Sequence, residues 1–97
     1  MTPMNNNDIQ TALGQLNKSS NVPWKLVDGA LQKSFKFNDF SEAFAWMTQV
    51  AITAEKMDHH PEWFNVYNKV DVTMVTHDAN GITQLDFDLA AKMDSFA

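Results

Sequence analysis

Ninety-seven residues, 44% of them hydrophobic, suit one domain over residues 1–97 with one core, and make wholesale disorder a poor description. The formal net charge of −5 supplies no basic footprint for direct nucleic-acid binding, and the lack of cysteine excludes disulfides, thiolate metal sites and a cysteine nucleophile. No apolar run approaches the roughly 18 residues that cross a bilayer, and Met1 to Asp8 lacks a signal peptide's basic start and apolar middle, so a cytoplasmic protein without a membrane partner is expected.

Asp8 to Leu16 places Ile9, Ala12, Leu13 and Leu16 at i, i+3, i+4 and i+7, the spacing of a short amphipathic helix. The polar stretch Asn17 to Pro23 reads as a loop. Trp24–Val27 and Leu31–Phe37 flank Asp28-Gly29, a turn dipeptide, and predict a hairpin in whose second arm Phe35 and Phe37 share a face. A long helix is expected to begin at Asn38 or Asp39, with Asp39 and Glu42 spaced like a capping box. Its predicted inward stripe is Phe40, Ala43, Phe44, Met47, Val50, Ala51 and Ala54, leaving Trp46 and Ile52 outside it. The helix should stop near Met57, because Pro61 drives His60 toward an extended backbone.

Two more strands are predicted at Trp63–Tyr67 and Lys69–Thr76. The second alternates Val70, Val72, Met74 and Thr76 on one face with Asp71, Thr73, Val75 and His77 on the other. Asn80-Gly81 makes a turn, and Thr83 followed by Asp86 opens a last helix carrying Leu85, Leu89, Ala90 and Met93 inward. Helix, two strands, helix, two strands, helix gives an α+β fold: a two-layer sandwich of a four-stranded antiparallel sheet with helices packed on one face.

All three histidines, His59, His60 and His77, fall in or near one constellation. The first two lie in Glu55-Lys56-Met57-Asp58-His59-His60-Pro61-Glu62-Trp63, dense in carboxylates and closed by an indole. Imidazole is the side chain that gives and takes protons near neutrality, and carboxylates beside it favour its protonated form, as a general acid requires. Glu55 and Asp58 also stand at a helix C-terminus, where the macrodipole disfavours negative charge, which suits a task other than stability. Unconnected surface histidines are the alternative. A three-histidine metal site is a weaker one, because adjacent rings diverge. Trp63 reads equally as a core residue or as a platform for a flat ligand, and Asp86 as the capping partner of Thr83 or as a site residue.

The run Glu55-Lys56-Met57-Asp58-His59-His60-Pro61-Glu62-Trp63-Phe64-Asn65-Val66-Tyr67-Asn68-Lys69-Val70 resembles the signature block of pterin-4a-carbinolamine dehydratases. The likeness continues through Thr76-His77-Asp78, Gly81-Ile82-Thr83, Asp86 and Leu89-Ala90. Upstream it takes in Trp24, Phe35-Lys36-Phe37-Asn38-Asp39-Phe40 and Ala43-Phe44, and so covers about residues 22 to 95. The resemblance implies a hydro-lyase that removes water from a 4a-hydroxytetrahydropterin, the spent product of an aromatic amino-acid hydroxylase, to give quinonoid dihydropterin. It implies His59, His60 and His77 as the catalytic trio, with His60 and His77 as the acid–base pair. Glu55 and Asp58 would orient them, and Pro61, Trp63, Thr76, Asp78 and Asp86 would complete the pterin site. No metal or organic cofactor is implied, since the ring nitrogen's own lone pair expels the hydroxyl. Leu85 departs from the animal members, which carry an arginine there, so one cation at the pocket rim is lost.

The resemblance further implies a homodimer formed through sheet edges or a homotetramer formed through helix faces. Two other functions stay open. Animal relatives also serve as dimerisation cofactors of a transcription factor, a protein-interaction role. A related pterin-binding protein of molybdopterin or folate metabolism would use the same histidines on another pterin.

Overall fold

A computed structural model describes residues 1–97 apart from the side chain of Ser19. The elements are α1 (Asn6–Leu16), β1 (Lys25–Val27), β2 (Ala30–Lys36), α2 (Phe40–Met57), β3 (Glu62–Val66), β4 (Lys69–Met74) and α3 (Gln84–Phe96), in the predicted order. The four strands form one antiparallel sheet in the order β1-β2-β4-β3. No helix is long and apolar enough to cross a membrane.

Each hairpin follows from its turn. Asp28 and Gly29 both take positive φ, 51° and 78°, the backbone that matches the twist of a two-residue hairpin. At the other hairpin Tyr67 takes φ 52°. The β2–β4 register, Leu31↔Met74 to Lys36↔Lys69, joins the two hairpins. Alternation then sends Leu31, Phe35, Val70, Val72 and Met74 to one face, all buried, while Ser34, Asp71 and Thr73 face away. Regular pairing of β4 ends at Met74, short of the predicted Thr76, which instead makes an isolated bridge to Gly81.

The helices cover the apolar face. Ile9, Ala12, Leu13 and Leu16 of α1 pack on the core as their spacing predicts. In α3 the buried positions include Leu89, Ala90 and Met93, together with Phe87, which the spacing argument missed; Leu85 is only half-buried.

The predicted stripe of α2 is corrected. Its buried residues are Ala43, Trp46, Val50 and Ala54, whereas Phe40, Phe44 and Ala51 are exposed. Apolar side chains occupy two rows of this helix, and the row containing the indole faces the core. Trp46 packs on Phe35, Phe37 and Trp63 at centroid distances of 4.5, 5.3 and 6.1 Å. Its Nε1–H donates to the Met93 carbonyl at 3.0 Å, so burial leaves no polar group unmet.

The start of α2 is as expected: the Asp39 carboxylate accepts the Glu42 N–H at 2.9 Å. Asp39→Ala removes that acceptor from an otherwise unpaired helix N–H and should cost about 1 kcal/mol of unfolding free energy, read as a lower denaturation midpoint with unchanged slope.

Candidate active site

Three backbone features bring the histidines to one end of the sheet. The first is the close of α2. Asp58 adopts left-handed geometry at φ 51°, with Asp58 N–H donating to the Glu55 carbonyl and His59 N–H to the Ala54 carbonyl. This is a Schellman closure, and aspartate is among the few non-glycine residues that tolerate its left-handed position. The turn points His59 inward, where it is buried, and leaves His60 exposed.

The second is the β3–β4 register. Glu62 pairs with Thr73, so the start of β3 lies beside the end of β4. The residues just before one strand and just after the other therefore meet. The third is the loop that follows β4. Thr76 and Gly81 exchange hydrogen bonds at 2.9 and 3.3 Å, closing a tight turn over His77–Ala79, with Asn80 left-handed at φ 53°. Pro3 packs against Gly81 and the Met4 N–H donates to the Ile82 carbonyl at 2.8 Å, which fastens the N-terminal segment to this loop.

Each histidine meets a different carboxylate, and each does so through Nε2. His59 is 2.6 Å from Asp86 Oδ1, His60 is 2.8 Å from Glu55 Oε1, and His77 is 2.6 Å from Glu62 Oε1. Among the described residues, no Nδ1 of the three takes part in a hydrogen bond. No buried side-chain nitrogen or oxygen among the described residues lacks a hydrogen-bond partner. Among the described residues, no three histidine or carboxylate groups converge as a metal ion would need.

Asp86 is wholly buried and fills the capping role read from the sequence. Its Oδ2 accepts the Thr83 N–H at 2.9 Å, completing the capping box of α3, and the Thr76 hydroxyl at 2.8 Å. Thr76 spends its proton on Asp86, so the Thr83 hydroxyl must donate to Thr76 across their 2.8 Å contact. The remaining oxygen holds His59. A buried carboxylate is tolerable only when its lone pairs are met, and here they are.

The other expected site residues divide. Trp63 is half-buried and packs on Trp46, so its ring belongs partly to the core. Pro61 is half-buried between His60 and β3. Asp58 and Asp78 are exposed and bond no histidine; the backbone of Asp58 closes the helix. Leu85 immediately precedes Asp86 and is half-buried. Glu62 was not expected at all. Its partner is 15 residues away and the predicted strand opens one residue later, at Trp63, so no local signal marks it.

Residues 2–96 match the family described as Pterin 4 alpha carbinolamine dehydratase. The chain belongs to this family. A relative from Sinorhizobium fredii is 66% identical over 76 residues, spanning 76% of this chain and 72% of its own. One from Brucella ovis is 59% identical over 76 residues, 76% of this chain and 78% of its own. Both are provisionally named pterin-4-alpha-carbinolamine dehydratases. A crystal structure from Brucella melitensis, described as a transcriptional coactivator/pterin dehydratase, superposes with a TM-score of 0.90 at 48% identity and covers 99% of both chains. A pterin dehydratase-like RuBisCO assembly factor of the alpha-carboxysome shares the fold at TM-score 0.66 and 19% identity, covering 81% of this chain and 92% of its own. The dehydratase-family fold thus extends over the whole chain, including the sheet end where the three histidines lie.

Proposed function

We propose that this chain dehydrates a 4a-hydroxytetrahydropterin to quinonoid dihydropterin, and so recycles the pterin of an aromatic amino-acid hydroxylase in the cytoplasm. The observation that carries this reading is that three histidines lie at one end of the sheet, each ring bonded to its own carboxylate. The reaction needs a base to take the N5 proton and an acid to protonate the 4a-hydroxyl as it leaves. The N5 lone pair then forms the N5–C4a double bond, and water departs. His60 and His77, both exposed, serve as the acid–base pair. Buried His59 positions the substrate, with Pro61, Trp63 and Asp78 around the ring, while Thr76 and Asp86 act through the buried network that holds His59. The expected result is that purified protein, added to a phenylalanine hydroxylase reaction, hastens loss of the 4a-hydroxypterin absorbance over the spontaneous decay. Decay at the spontaneous rate would overturn the reading.

A second reading is favoured by one observation. Phe40, Phe44 and Ile52 stand 48%, 55% and 56% exposed along the outer face of α2, an apolar row that monomers rarely leave open. A homotetramer through this face would cover it, whereas a homodimer through the β3 edge would leave it open for a protein partner. Sedimentation of the purified chain separates these two assemblies.

A further inference from the structure

The dehydratase reading uses the histidines but gives Glu62 no task. Glu62 opens β3, where pairing with Thr73 fixes its backbone, and its Oε1 lies 2.6 Å from His77 Nε2. His77 in turn stands on the closed Thr76–Gly81 turn, so both ends of the contact are set by the backbone. The two side chains are 76% and 56% exposed, and an ion pair so open to water adds little to stability. Stability therefore gives little reason for a glutamate at this position.

Tautomer control does give one. A neutral imidazole carries one N–H, and the hydrogen bond made by one nitrogen decides which nitrogen keeps the lone pair. A carboxylate accepts only, so at Glu62 the neutral ring must donate through Nε2–H, which leaves Nδ1 as the basic nitrogen. Resting on the dehydratase reading, we infer that Glu62 is a positioning residue that locks His77 as the Nε2–H tautomer, so that Nδ1 is the nitrogen that exchanges a proton with the pterin. His59 and His60 are bonded at the same nitrogen, by Asp86 and Glu55, so all three rings are held in one sense.

The test pairs ¹⁵N NMR of the His77 ring, at a pH where it is neutral, with steady-state kinetics on Glu62→Ala and Glu62→Gln. Wild type should show a protonated Nε2 and an unprotonated Nδ1. Glu62→Ala should mix the two tautomers and lower kcat about tenfold, as loss of orientation does, with KM nearly unchanged. Glu62→Gln presents either its oxygen or its N–H₂ to Nε2; turnover should stay near wild type where the ring shows Nε2–H and fall where it shows Nδ1–H. A ring signature in Glu62→Ala identical to wild type would overturn the inference, whether or not kcat falls. So would a mixed ring that turns over at the wild-type rate, or a glutamine variant that keeps the Nε2–H ring yet is as impaired as the alanine one. An inactive wild type with the Nε2–H signature would instead bring down the dehydratase reading and leave the tautomer assignment standing.

Discussion

His60→Ala and His77→Ala should each fold as the wild type does and lose turnover by about 10²–10⁴-fold, the contribution of a positioned acid or base. The two rings are exposed, lie outside the core, and bond to exposed carboxylates. Removing either therefore takes little from stability, and thermal melting should barely move. Turnover is another matter, because proton removal at N5 and proton delivery at the 4a-hydroxyl are each assigned to one of these rings. The double variant should be little worse than the poorer single one, since groups acting as a unit do not add. Wild-type rates in both single variants would sink the histidine mechanism while leaving the fold and the family intact.

Asp86→Ala should be the most damaging single change to stability at the site, costing about 3 kcal/mol. That corresponds to a fall in melting temperature on the order of 15 °C for a chain of this size. The loss has three parts. The Thr83 N–H at the head of α3 loses its acceptor, the Thr76 hydroxyl loses its partner, and His59 loses the group that holds its ring. All three partners are buried residues, so water does not readily replace what is lost. Asp86→Asn fills the same space and keeps one accepting oxygen, and should retain about half of that stability. Its amide N–H₂ must face either a threonine or His59, however, so the tautomer of His59 should invert if the amide turns toward the ring. Calorimetry on the two variants checks the order; equal melting for Asp86→Ala and wild type would mean that the buried network carries no stability.

Much of this was legible in the sequence because its signals were local. Asp28-Gly29 marks a hairpin whose two φ values only a few residues accept, and Val70, Val72 and Met74 alternate with Asp71 and Thr73 along β4. The His-His-Pro run next to a helix end marks the site for the same reason. The face of α2 was not legible. Two apolar rows run along it, and periodicity alone cannot say which meets the sheet; the choice turns on Trp46 finding Phe35, Phe37 and the Met93 carbonyl, partners from other elements. Glu62 was missed for a like reason. Its partner is 15 residues away, and only the pairing of β3 with β4 puts them together. Asp58 adds a second lesson, for its place beside two histidines is also the left-handed backbone position that closes the helix.

The pairing of β3 with β4 is set at their far end, where Tyr67 and Asn68 alone separate the strands. Five residues of β3 put that turn roughly 17 Å from the histidines. A slip of one residue in the pairing would slide His60 past His77 by about 3.3 Å and turn every β3 side chain to the opposite face. The length of a remote turn is therefore a dimension of the proposed catalytic centre. Insertions there should be tolerated far less well than in the polar Asn17–Pro23 connection, although both sit on the surface and neither touches a reacting group.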